Sequence, residues 1–184
     1  MHDHGFEKTT IEGPGHELIR HVHRELRQLA RARLRSWPPG QALQPTELVH
    51  EAYIRLARNP DRIWKGRRHF YRAAALAMRY ILIERARARK AAKRGGDWQR
   101  TDLENSLADN QNATVLSHED LLTLSNALAA MQAVYPVEAE LVLMRYFCGL
   151  TMAQIAKVMG ESKSSVERRW TFARAWLGRE IQRG

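Results

Sequence analysis

The stretch TMAQIAKVMGESKSSVERRW, Thr151–Trp170, carries the local signals of a helix-turn-helix. Thr151 can cap the first helix, and Gln154 three residues later completes a capping box. Gly160 suits a turn position with positive φ, which glycine adopts without steric cost. Ser162 offers a new N-cap for the second helix. The stretch therefore predicts two helices joined by a tight turn, an arrangement that places its second helix in the major groove of duplex DNA.

The second helix of this pair has an apolar and a polar side. At 100° per residue, four apolar side chains fall within about 60° of one another and predict a buried stripe: Val166, Trp170, Ala173 and Leu177. Arg168 lies opposite this stripe, next to three hydroxyl-bearing residues: Ser164, Ser165 and Thr171. The polar side is thus predicted to face DNA. A plain amphipathic hairpin is the alternative, and the agreement of caps, turn glycine and core spacing argues against it.

The charge of the chain is unevenly distributed. The 184 residues carry a net charge of +10. Residues 62–94 hold twelve basic side chains and one acidic side chain, whereas residues 95–126 hold one basic and six acidic side chains. A concentrated basic block attracts phosphate polyanions and releases their counterions on binding. A solubilising face or a membrane-surface patch is the alternative explanation.

The cysteine content and the hydropathy of the chain indicate the cellular compartment in which it works. Cys148 is the single cysteine, so no intrachain disulfide can form and we expect a reducing environment. The first ten residues, MHDHGFEKTT, lack the apolar core of a signal peptide. No window approaches the ~20 apolar residues that a membrane span needs. We therefore expect a soluble, cytoplasmic protein.

Helical periodicity and loop signals predict an all-α fold of two small helical domains. We expect the first domain at residues 10–95, a flexible acidic linker at 96–118 and a helix-turn-helix domain at 119–184. A long helix from about Arg68 to Arg94 should be the centre of the first domain, because its middle, Ala73–Ile83, is apolar on nearly all sides. Four cations align within about 40° on this helix and form one basic edge: Arg68, Arg72, Arg79 and Lys90.

The segment that leads into this long helix mixes cations with aromatic rings: Trp64, Lys65, Arg67, Arg68, His69, Phe70 and Tyr71. Rings stack on unpaired bases while cations hold the backbone, so this composition favours single-strand binding. Phe70 and Tyr71 are equally compatible with core positions at the start of a helix, which leaves Trp64 as the better base platform. The chain thus combines a predicted duplex reader with a predicted single-strand site.

Three stretches of the chain carry longer motifs: PTELVHEAYIRLAR at Pro45–Arg58, HFYRAAALAMRYILIERARARKAAKRGG at His69–Gly96, and LVLMRYFCGLTMAQIAKVMGESKSSVERRWTFARAWLGREI at Leu141–Ile181. In this order they resemble the clamp-docking helix, the promoter −10 segment and the −35 reader of bacterial RNA polymerase sigma factors of the extracytoplasmic-function (ECF) type. The resemblance covers about residues 14–94 and 119–182. It implies a first domain like sigma region 2, a bundle of three to four helices, and a second domain like sigma region 4.

The resemblance also implies partners and site residues. It implies a subunit that binds the clamp and flap of core RNA polymerase and directs promoter-specific initiation, without enzymatic activity or a cofactor of its own. The implied polymerase-binding residues are Glu47, His50, Glu51 and Arg55. The implied −10 and melting residues are Trp64, Lys65, Arg67, Arg68, His69, Arg72, Arg79 and Lys90. The implied −35 residues are Lys163, Ser164, Ser165, Arg168, Arg169 and Thr171. Promoter DNA, duplex and single-stranded, is the implied ligand, and an anti-sigma factor is a further partner that the family suggests.

Some positions depart from the family pattern or have a simpler explanation. Arg79 and Glu84 stand where many relatives carry Asn and Asp, which bears on the −10 preference. Glu51 can form an i,i+4 pair with Arg55, a role that is compatible with polymerase binding. Cys148 fills a site often held by Gly, and we interpret it as a small buried filler rather than a redox sensor. The acidic linker is expected to mimic nucleic-acid charge near the polymerase cleft through three carboxylates: Asp102, Glu104 and Asp109.

Two other classes of protein account for less of the sequence. A transcription regulator that binds duplex DNA without polymerase would explain the helix-turn-helix, but it would leave the clamp-like helix and the ring-rich segment without a role. An enzyme has little support, because the chain has no HExxH motif or paired metal spacing and no nucleophile with its base. The histidines near the N-terminus fit a solvated helix better than a metal site: His16, His21 and His23.

Overall fold

The fold is all-α. The computed structural model describes residues 45–58, 65–92 and 118–183, together with the helical residues Arg24, Arg27, Gln28 and Ala30. Within these residues there are helices and no strand. Six helices have described bounds: α1 Pro45–Ala57, α2 Gly66–Ala92, α3 His118–Val134, α4 Pro136–Cys148, α5 Met152–Met159 and α6 Lys163–Arg183. Trp64 and nearly all of the predicted linker lie outside the described residues, as does the side chain of Lys90.

The ends of the C-terminal helices follow from local sequence chemistry. Helix α4 begins with a proline at its first position and stops at Gly149, which has φ 68° and donates its N–H to the carbonyl of Met144. Helix α5 stops in the same way at Gly160, with φ 71° and a bond to the carbonyl of Ala156. The left-handed turn predicted at Gly160 is confirmed.

The long helix α2 is the centre of the core. It begins at Gly66, two residues earlier than predicted, and its rings at Phe70 and Tyr71 are fully buried in an edge-to-face pair 5.4 Å apart. Ala74, Met78 and Ile81 are also fully buried. The expectation that the middle of this helix is buried is confirmed, and the two rings whose role the sequence left open are core residues.

Helix α2 packs against helices from both halves of the sequence. It contacts α1 before it in the chain, and α3 and α4 after it. The buried residues of α1 to α6 form one continuous apolar cluster. The helices assigned to the two predicted domains therefore share a core in this structure. No described helix has the length and apolar character that crossing a bilayer requires.

Candidate nucleic-acid interface

Helices α5 and α6 form the predicted helix-turn-helix. Both bonds of the capping box are present: the Thr151 N–H donates to Gln154 Oε1 at 2.8 Å, and the Gln154 N–H donates to Thr151 Oγ1 at 3.2 Å. At the start of α6, the Ser165 N–H donates to Ser162 Oγ at 3.1 Å, which confirms the second cap. Each cap satisfies a donor that has no partner within its own helix, so both helix starts are well determined.

The predicted division of α6 into two sides is confirmed. All four residues of the apolar stripe are buried: Val166, Trp170, Ala173 and Leu177. Trp170 packs on the ring of Tyr146 in α4, with centroids 5.6 Å apart. On the other side Ser164, Arg168 and Thr171 are exposed. No described residue forms a hydrogen bond or ion pair with Arg168, so its guanidinium keeps all five donors for an outside ligand.

The predicted −35 residues other than Arg168 all form contacts within the protein, and even the exposed hydroxyls of Ser164 and Thr171 bond Ser162 Oγ and the Glu167 carbonyl. Lys163 forms an exposed i,i+4 ion pair with Glu167 at 3.4 Å. Arg169 donates from Nη1 to Glu138 at 2.7 Å and from Nε to Glu161 at 3.1 Å. Ser165 donates its hydroxyl to the same Glu161 carboxylate at 2.8 Å. Arg169 and Ser165 thus brace α4 and the α5–α6 turn, while Arg168 faces outward.

This brace has an electrostatic signature. The hydrogen bonds from Ser165 and then Arg169 lower the pKa of Glu161. In return, the bond to Glu161 and then the bond to Glu138 raise the pKa of Arg169. The brace was missed at the sequence level because Glu138 lies on another helix, 31 residues from Arg169. The nearer partner, Glu161, stands just before the Ser162 cap and carried no periodic signal.

A groove of about 550 Å³ runs along the start of α5 beside the recognition helix. Lys163 and Thr171 of α6 line it, as do Thr151 and Met152 at the start of α5. The first amides of a helix have no intrahelical acceptor, and the helix dipole favours an anion there. The carboxylate of Glu167 also lines the groove and pairs with Lys163, so the lining carries charge of both signs.

The predicted −10 residues fall into two groups. Lys65 and Arg72 are exposed, and Arg72 pairs with none of the residues that the structure describes. Arg68 is also exposed but is bonded to α4, whereas Arg79 is half-buried and bonded to α3. The other predicted residues of this site are Arg67 and His69, both half-buried, and Trp64 and Lys90, whose side chains the structure does not describe.

Arg68 forms a two-pronged bond with Glu140 of α4: Nε to Oε1 at 3.0 Å and Nη2 to Oε2 at 2.7 Å. This geometry is the strong, charge-assisted form of an arginine–carboxylate contact. It raises the pKa of Arg68, mainly through the hydrogen bond to Glu140. Arg79 donates to the hydroxyl of Ser125 at 3.1 and 2.8 Å and to the Ser125 carbonyl at 2.6 Å. Burial lowers the pKa of Arg79.

The predicted polymerase-binding residues lie on α1. Arg85 of α2 forms ion pairs with both Glu51 and Glu47, the latter at 3.6 Å. Arg55 pairs with Glu84 of α2. The i,i+4 pair between Glu51 and Arg55 is absent from the described structure, because each side chain bonds α2 instead. His50 is exposed.

Cys148 is fully buried at the end of α4, with its Sγ 3.9 Å from the carbonyl oxygen of Tyr71. Burial raises the pKa of this thiol, because the charged thiolate loses its solvation. The interpretation of Cys148 as a small buried filler agrees with this environment.

Comparison with known proteins places this architecture in a family. The model of the ECF sigma factor family matches residues 13–183. The chain therefore belongs to the ECF sigma factor family, whose members are non-enzymatic transcription initiation factors that act with RNA polymerase. No curated protein and no solved structure matched the chain.

Proposed function

We propose that this protein directs core RNA polymerase to promoters with two elements. Helix α6 reads the −35 element as duplex, and α2 with the segment before it binds the −10 element and stabilises its melted strand. The observation that carries the proposal is the exposed polar side of α6, backed by a fully buried stripe. A helix held in this way can enter a major groove without losing its packing.

At the −35 element, Arg168 is the strongest candidate for direct base contact. A guanidinium with free donors can bond the O6 and N7 atoms of guanine together, the commonest specific contact in the major groove. Ser164 and Thr171 flank it on the exposed side. The groove at the start of α5 supplies the accompanying phosphate contact, in which Lys163 neutralises backbone charge.

At the −10 element, the exposed cations Lys65 and Arg72 hold the backbone, while Trp64 stacks on an unpaired base. Tyr80 is a further candidate that the sequence reasoning missed. It lies on α2 and is 57% exposed, unlike the buried rings of Phe70 and Tyr71. An exposed ring on a strongly basic helix has the composition of a single-strand platform.

For polymerase binding, α1 offers an exposed His50 beside the carboxylates of Glu47 and Glu51. Arg85 of α2 bonds both carboxylates at the α1–α2 contact. These ion pairs hold the two helices in register, so that α1 presents a fixed polar surface. The surface fits a helical partner with complementary charge, as the clamp of core polymerase offers in this family.

A reconstitution experiment tests the proposal. The purified protein is mixed with core polymerase and a promoter library, and start-site-specific transcripts are sequenced. We expect transcripts only when both components are present, together with enrichment of two separated sequence elements. If the protein alone binds a specific duplex tightly and does not associate with core polymerase, it is a stand-alone regulator and the proposal is wrong.

A further inference from the structure

Three side chains follow one another along the polar side of α6. Ser165, Arg168 and Thr171 are spaced three residues apart, so they form a row on the helix surface. Ser165 is half-exposed, and the other two are exposed. Successive members are about 4.5 Å apart along the helix axis, close to the ~3.4 Å rise of a DNA base pair. A helix placed in the major groove can therefore use this row to contact neighbouring base pairs.

A hydroxyl group ordinarily accepts either kind of base edge. It has one proton to donate and two lone pairs with which to accept, so a serine or threonine can bond an acceptor or a donor on a base. When the proton is engaged by another group, only the lone pairs remain. The hydroxyl then bonds donors alone, and in the major groove these are the amino groups N6 of adenine and N4 of cytosine.

The proton of the Ser165 hydroxyl is engaged by Glu161. The Ser165 hydroxyl donates to Glu161 Oε2 at 2.8 Å, and the same oxygen accepts the Nε–H of Arg169 at 3.1 Å. The hydrogen bonds from Ser165 and then Arg169 lower the pKa of Glu161, so its carboxylate is charged at neutral pH. A charged carboxylate has no proton to give. The proton in the Ser165–Glu161 bond is therefore that of the serine.

Both members of this bond are held in place. Arg169 links Glu161 to Glu138 of α4 through ion pairs of 3.1 and 2.7 Å. The backbone N–H of Ser165 donates to the Ser162 hydroxyl at 3.1 Å, which fixes the serine at the start of α6. The Ser165 hydroxyl thus has a fixed acceptor within the protein, and its lone pairs remain for a donor in the groove.

Thr171 has the same restriction from a different acceptor. Its Oγ1 donates to the backbone carbonyl of Glu167 at 3.0 Å, and a carbonyl can only accept. Ser164 differs, because its hydroxyl lies 3.0 Å from that of Ser162 and either of the two can be the donor. Only the restriction on Ser165 depends on a side chain that substitution can remove.

We propose that Glu161 makes Ser165 a selective reader of base amino groups, so that the strand facing Ser165 carries adenine or cytosine there rather than guanine or thymine. This rests on the proposed function, in which α6 reads the −35 element. Arg168 has only donors and selects the opposite chemistry at a neighbouring position, the O6 and N7 acceptors of guanine. Glu161 is a positioning residue, because it acts on DNA only through the Ser165 hydroxyl.

The first test selects DNA with the complete polymerase complex. Core polymerase and the full-length chain are incubated with a promoter library randomised through the −35 element, and the bound DNA is sequenced. Ser165→Ala identifies the position that Ser165 reads, because the base preference at that position should disappear. In the unmodified complex we expect adenine or cytosine to be favoured there about three- to tenfold, the contribution of one neutral hydrogen bond. A preference for guanine or thymine overturns the inference, and so does a selection that Ser165→Ala leaves unchanged.

Two substitutions of Glu161 test its role in the same selection. Glu161→Gln keeps a side-chain oxygen that can accept from Ser165, so the preference should stay within about twofold of the unmodified complex. Glu161→Ala removes the acceptor and frees the hydroxyl proton, so the preference should disappear at this position and persist at the position read by Arg168. An unchanged preference in Glu161→Ala, or its loss at both positions, overturns the role of Glu161.

The second test leaves the protein unaltered. Adenine at the position read by Ser165 is replaced by 2-aminopurine, which still pairs with thymine but has no amino group at C6. We expect the affinity of the polymerase complex for this DNA to fall about three- to tenfold. With Ser165→Ala the two DNAs should bind equally. Equal binding of the two DNAs by the unmodified complex overturns the inference.

The two proposals fail in different ways. If the library yields no enriched −35 position, or if the protein does not associate with core polymerase, the proposed function is wrong. If a −35 element is enriched and Arg168→Ala changes it, while Ser165→Ala and Glu161→Ala do not, α6 reads duplex DNA and only the inference is wrong.

Discussion

Helices α2 and α6 both carry cations that are predicted to face DNA, but the two sets have different neighbours in the free chain. On α6, Arg168 is exposed and no described residue pairs with it. On α2, Arg68 and Arg79 are bonded by Glu140 and Ser125. Each helix also carries the opposite case, since Arg169 of α6 is bonded to Glu138 and Glu161, and Arg72 of α2 is exposed with no partner among the described residues. A basic edge on a helical wheel therefore indicates charge, and the tertiary packing decides whether that charge is available.

Of the effects expected from these contacts on α2 and α6, the largest is on the free energy of unfolding of the free chain. Arg68→Ala leaves the carboxylate of Glu140 nearly buried without its partner. Removing one member of such a pair is costly, and the partial exposure of Arg68 keeps the expected loss in the free energy of unfolding to about 2–3 kcal/mol. Arg72→Ala, on the same helix but exposed, should change the free energy of unfolding by less than about 0.5 kcal/mol.

Urea unfolding followed by far-ultraviolet circular dichroism measures both variants. Arg72→Ala removes the same charge and the same side chain from α2, so it controls for net charge and helix propensity. Equal effects of the two substitutions would mean that the Arg68–Glu140 bond does not stabilise the free chain. The contrast between α2 and α6 would then lose its basis.

The next prediction concerns two adjacent arginines of α6, one expected to affect DNA binding and the other the free energy of unfolding. Arg168→Ala should weaken −35 binding by the polymerase complex by about 1–3 kcal/mol, if Arg168 reads a base, without lowering the free energy of unfolding. Arg169→Ala should lower the free energy of unfolding instead, because it leaves Glu138 and Glu161 without their shared cation. Competition binding on promoter duplex, paired with urea unfolding, gives both quantities for each variant. If Arg169→Ala changes base preference and not stability, the brace is not its main role.

The features that the sequence predicted well are local. The capping box, the left-handed Gly160 and the buried stripe of α6 depend on residues within a few positions of each other, where helix geometry alone sets the neighbours. The partners that it missed are distant in sequence: Glu140 lies 72 residues from Arg68, and Ser125 lies 46 residues from Arg79. Such pairs depend on how helices dock, which periodicity does not encode.

For the same reason, the sequence did not decide whether Phe70 and Tyr71 are core residues or platforms on which a base stacks. A ring at the start of a helix satisfies both patterns, and only the docking of α2 onto its neighbours buries these two completely. Tyr80 illustrates the converse, since it lies within the apolar middle of α2 and is nevertheless exposed. The charge pattern and the family motifs locate the predicted −10 helix, but they do not identify which of its rings can reach a base.

The smallest predicted effect tests how the α5–α6 turn presents the recognition helix. Gly160 has φ 71° and open space around its missing Cβ, so alanine meets only the backbone cost of a left-handed conformation. Gly160→Ala should lower the free energy of unfolding by about 1 kcal/mol. Gly178→Ala also faces open space but lies within α6, where alanine is the better helix former. It should raise the free energy of unfolding by about 0.5–1 kcal/mol.

Opposite signs are therefore expected from the same chemical change at two positions 18 residues apart in the sequence. Thermal unfolding of both variants measures the difference, and comparison of their midpoints cancels the effect of the added methyl group on the unfolded chain. If both substitutions stabilise the protein, the turn at residue 160 is not left-handed, and α6 leaves it in another direction. Arg168 would then face a different surface, and its availability to DNA would have to be reconsidered.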